Sequence, residues 1–311
     1  MAVDLVTLGL VCADVMVRPV EGFPERGKLS LVPHLEIHLG GLAGVAATVF
    51  CQLGGTAAFI GKVGKDGFAD YVIQAMRSQG VECGLVRQTD GFGTPATVVL
   101  ISNDGERTFL HHQGASQDLS EPDLDFEAIS KAKLLHWGGP AVTPKLDGEP
   151  IGRVLKRARA MGLKTSMDTC YDGKGVWLPR IAHALPHLDL VFTSIEEARM
   201  YTGKQTPEEI AEFLRGYGVQ IVVVKLGADG MFLKSATEVH RIPAHDVRPV
   251  DTTGAGDAAC AGFLYGYLKG WDLLRCGRLA NAVGALTVQT MGGAEAIRSA
   301  EKAFALMESG T

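Results

Sequence analysis

Runs of apolar, β-branched residues alternate with stretches of helical period along most of the chain. Val3–Val11 is nearly continuous in apolar side chains and predicts a first strand. Ala43–Leu53 predicts a helix, Ala57–Val63 a strand and Phe68–Gln79 a second helix. Further strands are expected at Lys133–Trp137, Lys164–Asp168, Leu188–Phe192 and Ile221–Leu226, with helices at Ile151–Met161, Ser194–Thr202 and Pro207–Tyr217. From Gly256 to Met307 the pattern is mostly helical. A strand apolar on both faces must be covered on both. The alternation therefore predicts an α/β fold with a mostly parallel sheet between helices.

Two segments follow a different period. Leu29–Leu39 alternates apolar and polar residues, and Thr97–Ile101 and Arg107–His111 flank an Asn103-Asp104-Gly105 turn. Alternation around an Asx-Gly turn marks half-exposed antiparallel strands. They either pair into a small second sheet or serve as edge strands of the main one. The first reading gives a single domain, 1–311, with a small inserted sheet built from segments 15–39 and 94–112. Arg107 and His111 share one face of their strand, where they either reach down onto a substrate or stand in solvent. His111-His112 and His34/His38 match metal spacing only on a helix, so no zinc site is assigned.

Composition narrows the class. With 46% hydrophobic and 21% charged residues over 311 positions, the chain can bury a large core, which excludes disorder as its main state. Its 39 glycines show no Gly-X-Y period. Lys+Arg is 30 against Asp+Glu 35, net −5, without the basic stripe of a nucleic-acid binder. The six cysteines are scattered, as reduced thiols are, and no apolar run is long enough to cross a membrane. Met1-Ala2-Val3-Asp4 carries no basic leader. A cytoplasmic protein is expected.

The chemistry concentrates in Asp251-Thr252-Thr253-Gly254-Ala255-Gly256-Asp257, followed by a small-residue apolar helix. A Gly-x-Gly turn that opens a helix presents backbone N–H groups and the positive end of the helix dipole, an anion cradle. Asp257 in the first turn is either a plain N-terminal charge or a general base beside that cradle. No Gly-Lys-Ser/Thr follows, so this is not a Walker A loop, and Gly-x-Gly-x-x-Gly does not occur here.

This heptad, in the last quarter of an α/β chain, resembles the ribokinase-like (PfkB) carbohydrate kinase family. Gly40-Gly41 opening a small-residue helix, and Ala13-Asp14 after the first strand, agree with it. The resemblance implies a three-layer α/β/α sandwich with a small β-sheet lid. It implies an ATP-dependent sugar kinase using Mg²⁺, with K⁺ as the monovalent cation of some members, and a homodimer through the lid. Asp257 matches the catalytic base and Gly254, Ala255 and Gly256 the anion hole. Asp14 matches the carboxylate that binds sugar hydroxyls, and Gly40 and Gly41 allow close approach of the substrate. Arg107 and His111 are candidate lid contacts to that substrate. Lys225, Gly227, Asp229 and Gly230 match the strand end and turn where the nucleotide lies, with Thr252 and Ser194 near the phosphates and Asn281 beside the adenine. Glu197 would act on Mg²⁺ through water, and Asp251 would help hold the monovalent cation.

Departures from the family pattern bear on the acceptor. Val45 stands where the family helix usually carries an Asn that meets the sugar, and Ser194 replaces the Asn of Asn-x-x-Glu. Thr169-Cys170-Tyr171 lacks the Asn and Arg of fructokinase-like members. The reading is phosphoryl transfer to a hydroxyl of a sugar or sugar-like molecule. A nucleoside acceptor, suited by an apolar Val45 and Trp137, and a non-catalytic sensor on the same fold remain as alternatives.

Overall fold

The structure, a computed structural model, describes residues 3–103, 106–294, 297 and 299–309. The expected turn at Asn103-Asp104-Gly105 lies largely outside them. The main sheet has eight strands in the order Val239–Ile242, Met231–Lys234, Ile221–Lys225, Leu190–Ser194, Lys164–Asp168, Leu134–Gly138, Leu5–Gly9, Ala57–Ile60. The strands from Ile221–Lys225 to Ala57–Ile60 are parallel, and Met231–Lys234 and Val239–Ile242 add an antiparallel edge.

Both faces of this sheet are covered, as its apolar strands require. Leu5, Phe59, Leu134, Phe192 and Val223 face one core with the helices Leu42–Gln52, Ala255–Leu268 and Leu273–Val288. Val6, Leu8, Leu135, Trp137 and Val222 face the other with Glu149–Ala160, Ile195–Thr202 and Pro207–Gly216. Each fully buried side chain of this size contributes roughly 1.5–3 kcal/mol by leaving water. Parallel strands all end at one side, where ligands collect in open α/β sheets. Asp168, Ser194 and Lys225 are each the last residue of such a strand.

A separate four-stranded sheet has the order His34–Gly40, Cys12–Arg18, Ala96–Ile101, Arg107–His112. The strand Cys12–Arg18 joins it because the chain leaves the main sheet after Gly9. The expected strand over Leu29–Leu39 is realised only from His34, after Pro33. Register sets Asp14 opposite His38 and Thr97, and Thr97 opposite His111, one polar row on one face. The other face carries Val15, Ile37, Val98 and Leu110, with Val17, Leu35 and Leu100 in the next row.

Candidate active site

The helix Ala255–Leu268 starts at Gly254, whose left-handed backbone (φ 72°) turns the chain into the first turn. A Cβ at Gly254 would lie 2.8 Å from the Gly293 Cα, so conformation and space both demand glycine. Ala255 N–H reaches back to the Thr252 carbonyl at 3.3 Å, which leaves the cradle mainly to the next amides. The helix Leu42–Gln52 differs, since its Ala43 and Gly44 amides both donate to the Leu10 carbonyl at 3.1 Å. Two of its first amides are thus spent on the residue that follows the first strand.

Asp257 sits in the first turn of the glycine-opened helix. Burial pushes its carboxyl up to about 7, helped by the negative charges of Asp168, Glu197 and Asp14 and opposed by Lys225. The Lys225 ammonium donates to Asp168 Oδ1 at 2.8 Å and Oδ2 at 2.7 Å, and the Cys260 thiol donates to Oδ2 at 3.1 Å. Burial works against the charge on Lys225, but Asp168 and its neighbours outweigh it and raise the ammonium's proton affinity. A Cβ on Gly256 would lie 3.1 Å from Lys225 Nζ, which places the ammonium at the mouth of the helix.

Ser194 caps the helix Ile195–Thr202, its Oγ accepting from Glu197 N–H at 3.1 Å. The Thr169 hydroxyl donates to Glu197 Oε2 at 2.6 Å. Burial raises the Glu197 carboxyl, and Asp168 adds repulsion. Asn281 spends both amide hydrogens on the carbonyls of Ile242 (3.0 Å) and Pro243 (2.9 Å), which holds that segment along the cleft. A cleft of about 760 Å³ joins Glu197, Lys225, Gly227, Gly230, Thr252, Gly254, Gly256, Asp257 and Asn281.

At the small sheet, Asp14 is buried and accepts from the Cys12 thiol at 3.2 Å. Burial raises its carboxyl above the usual range despite the bonds from Cys12 and Thr97, and Asp251 adds repulsion. Gly40 allows that approach, because a Cβ there would lie 2.1 Å from Asp14 Oδ2. Gly41 follows as the N-cap of Leu42–Gln52. Leu10, Cys12 and Val142, with Leu42 and Cys170, form a small apolar cluster of their own.

Several expected site residues lie elsewhere. Val45 is 1% exposed and belongs to the core, because it faces inward on a helix buried from Ala43 to Phe50. Trp137 and His136 are fully buried in the sheet. His136 bonds Ser166 at 2.9 Å, and burial pushes its ring down to about 4. Asp229 stands exposed on the turn Gly227–Asp229, off the cleft wall. Arg107 turns to the anion loop, its Nη1 donating to Thr253 Oγ1 at 3.2 Å and lying 3.5 Å from Asp251 Oδ1. His111 is exposed, with Nδ1 3.1 Å from the Thr97 hydroxyl. Asp251 accepts from Thr253 N–H at 2.9 Å and Gly292 N–H at 3.1 Å. The sequence reading missed Asp168, Thr169 and Cys260. Asp168 carried a usable signal, an acid at the end of a parallel strand.

A carboxyl raised by burial in the first turn of a glycine-opened helix, on a doubly covered parallel sheet, is the arrangement of a group-transfer site of the α/β class. The chain belongs to the pfkB family of carbohydrate kinases, whose sequence signature matches residues 3–300. Its enzyme class is accordingly phosphotransferase with an alcohol acceptor. It is 29% identical to an uncharacterised sugar kinase of Archaeoglobus fulgidus, over 79% of this chain and 96% of that one. It is 28% identical to the fructokinase of Escherichia coli, over 83% of this chain and 88% of the relative. The structure of Arabidopsis thaliana ribokinase complexed with ribose and ATP superposes with a TM-score of 0.85 at 25% identity, covering 99% of each chain.

Proposed function

We propose that this kinase moves the γ-phosphoryl group of ATP, with Mg²⁺, to a hydroxyl of a sugar or sugar-like molecule, with Asp257 as the base. The observation that carries this reading is the position of Asp257, in the first turn of a glycine-opened helix and on the wall of the cleft it shares with Lys225 and Glu197, its carboxyl raised by burial. A base with affinity near the working pH is both available and able to take a proton. It accepts the acceptor's proton while the Gly254–Asp257 turn and Lys225 face the charge that develops on the phosphoryl oxygens.

The described residues hold no cluster of three or more metal-ligating side chains. Mg²⁺ is held chiefly by phosphates and water with one or two carboxylates, and Glu197, a carboxylate on the cleft wall, would reach it through water. Mg²⁺ supplies neutralisation of phosphate charge when bound. A K⁺ ion fits less well at Asp251, since both carboxylate oxygens already meet protein donors.

Asp14, with Gly40 and Gly41 beside it, forms the polar side of the acceptor pocket, and the Leu10, Cys12 and Val142 cluster the apolar side. The small sheet acts as the lid that excludes water and so suppresses ATP hydrolysis. Val45 and Trp137 were the basis for a nucleoside acceptor; both are core residues, so a sugar is preferred.

A second copy covers the outer lid face, where Leu35 (65% exposed) and Leu110 (51%) stand among Val15, Val17 and Ile37. A Leu35→Lys/Leu110→Lys variant should then run as a monomer by light scattering. The six cysteines are all free, which suits the reducing cytoplasm.

ADP release with ATP and Mg²⁺ across pentoses, hexoses, inositols and deoxy-keto sugar acids tests the reading. One acceptor should drive turnover that Asp257→Asn abolishes while ATP still binds. Substantial turnover by that variant would remove Asp257 from the role of base.

A further inference from the structure

Arg107 crosses from the lid to the loop that opens the anion cradle. Its Nη1 donates to Thr253 Oγ1 at 3.2 Å and lies 3.5 Å from Asp251 Oδ1. The Asp251 side chain is 1% exposed and that of Arg107 27%. Asp251 already accepts the Thr253 and Gly292 amides, and these neutral donors leave its charge uncompensated. Asp251 also lies in the field of a second buried acid, Asp14, whose carboxyl it helps to raise. A buried carboxylate in that position needs a full counter-charge, and the guanidinium provides it. A monovalent cation on the same carboxylate would stand within a few ångströms of that guanidinium and be repelled by it.

We propose that Arg107 is a lid-borne fixed cation that does at Asp251 what a bound monovalent ion would otherwise do, so that turnover needs no potassium. The inference rests on the kinase reading above. Arg107 acts as a positioning residue. It pins Thr253, the neighbour of Gly254, whose left-handed turn aims the first amides of the helix. The cradle is therefore completed when the lid is down, and an open lid leaves Asp251 charged and the loop untethered.

The test compares turnover and thermal unfolding of wild type, Arg107→Met and Arg107→Lys in KCl and in tetramethylammonium chloride at equal ionic strength. Wild type and Arg107→Lys should turn over equally in both salts and melt at the same temperature in both. Arg107→Met should lose roughly tenfold or more in the organic salt, as when one preorganised charge contact is removed. It should also melt higher in KCl, because the uncovered Asp251 now takes the ion. Wild-type turnover that rises several-fold with K⁺ overturns the proposal. So does an Arg107→Met enzyme as fast as wild type in tetramethylammonium chloride. If wild type turns over no acceptor in either salt, the kinase reading fails instead, and the melting comparison alone still decides on Arg107.

Discussion

Replacing Asp168 by Asn keeps the shape of the side chain and removes its charge, which separates scaffolding from tuning. Asp168 accepts two bonds from the Lys225 ammonium and one from the Cys260 thiol, and its side chain is 1% exposed. Breaking a buried pair by deleting one partner costs about 3–5 kcal/mol. Lys225 keeps 16% exposure, and an Asn carbonyl still accepts one bond, so about 2–3 kcal/mol is the better figure here. At roughly 2 °C per kcal/mol for a chain of this size, the melting temperature should fall by about 4–6 °C.

The second effect is on the base. Asp168 raises the Asp257 carboxyl and Lys225 lowers it, so losing Asp168 and releasing Lys225 both act downward. Asp257 works deprotonated, and activity is lost as pH falls through its folded pKa of about 7. In Asp168→Asn the acidic limb of kcat/KM should therefore move to lower pH. The assay is a pH profile of kcat/KM beside a melting curve. A variant with the expected melting loss but an unmoved or upward-shifted limb would refute the coupling and leave Asp168 a structural partner of Lys225 only.

Asp257 carries a stability signature of its own. Its carboxyl is raised from 3.8 to about 7, so between those values the folded state binds more protons than the unfolded one and stability falls as pH rises. The full shift sets a ceiling of about 4 kcal/mol, which partial solvent contact cuts to about 1–2 kcal/mol. Asp257→Asn should thus melt higher than wild type at pH 8 and no higher at pH 4; equal gains at both would deny the shift. Gly40→Ala puts a Cβ where Asp14 Oδ2 now lies, 2.1 Å away, and must displace that carboxylate. The acceptor KM should rise on the order of tenfold or more with the ATP KM nearly unchanged, and parallel rises in both would take Asp14 out of the acceptor pocket.

How far the sequence reading reached follows from the range of each signal. The six parallel strands of the main sheet were legible because burial on both faces leaves a local mark, an unbroken apolar run; the antiparallel edge strands Met231–Lys234 and Val239–Ile242 were not assigned. The strand Cys12–Arg18 was not, because the same run continues past Gly9, where the chain changes sheets without changing hydrophobicity. Gly254 and Asp257 were legible because their chemistry sits within one turn of helix. Val45 was misplaced because its helix is buried from Ala43 to Phe50, and a helix apolar all round has no period to say which side meets a ligand.

The pairings that set charge at the site are long-range. Asp168 and Lys225 meet across 57 residues, and Arg107 and Thr253 across 146. The registers Asp168↔Phe192 and Ser194↔Lys225 bring the first pair to the same end of the sheet, on strands that flank Leu190–Ser194. A composition or a motif contains neither distance. What a lone acid or arginine does here depends on its partner, so Asp168 looked like a strand end and Arg107 like a sugar contact. In the folded chain Asp168 meets Lys225 beside the helix opened by the heptad, and Arg107 meets Thr253 and Asp251 of the heptad itself. The charge around Asp257 is thus set by strand order in the main sheet and that around Asp251 by the small sheet, so substitutions at Asp168 and Arg107, far apart in the chain, should act at the two ends of one heptad.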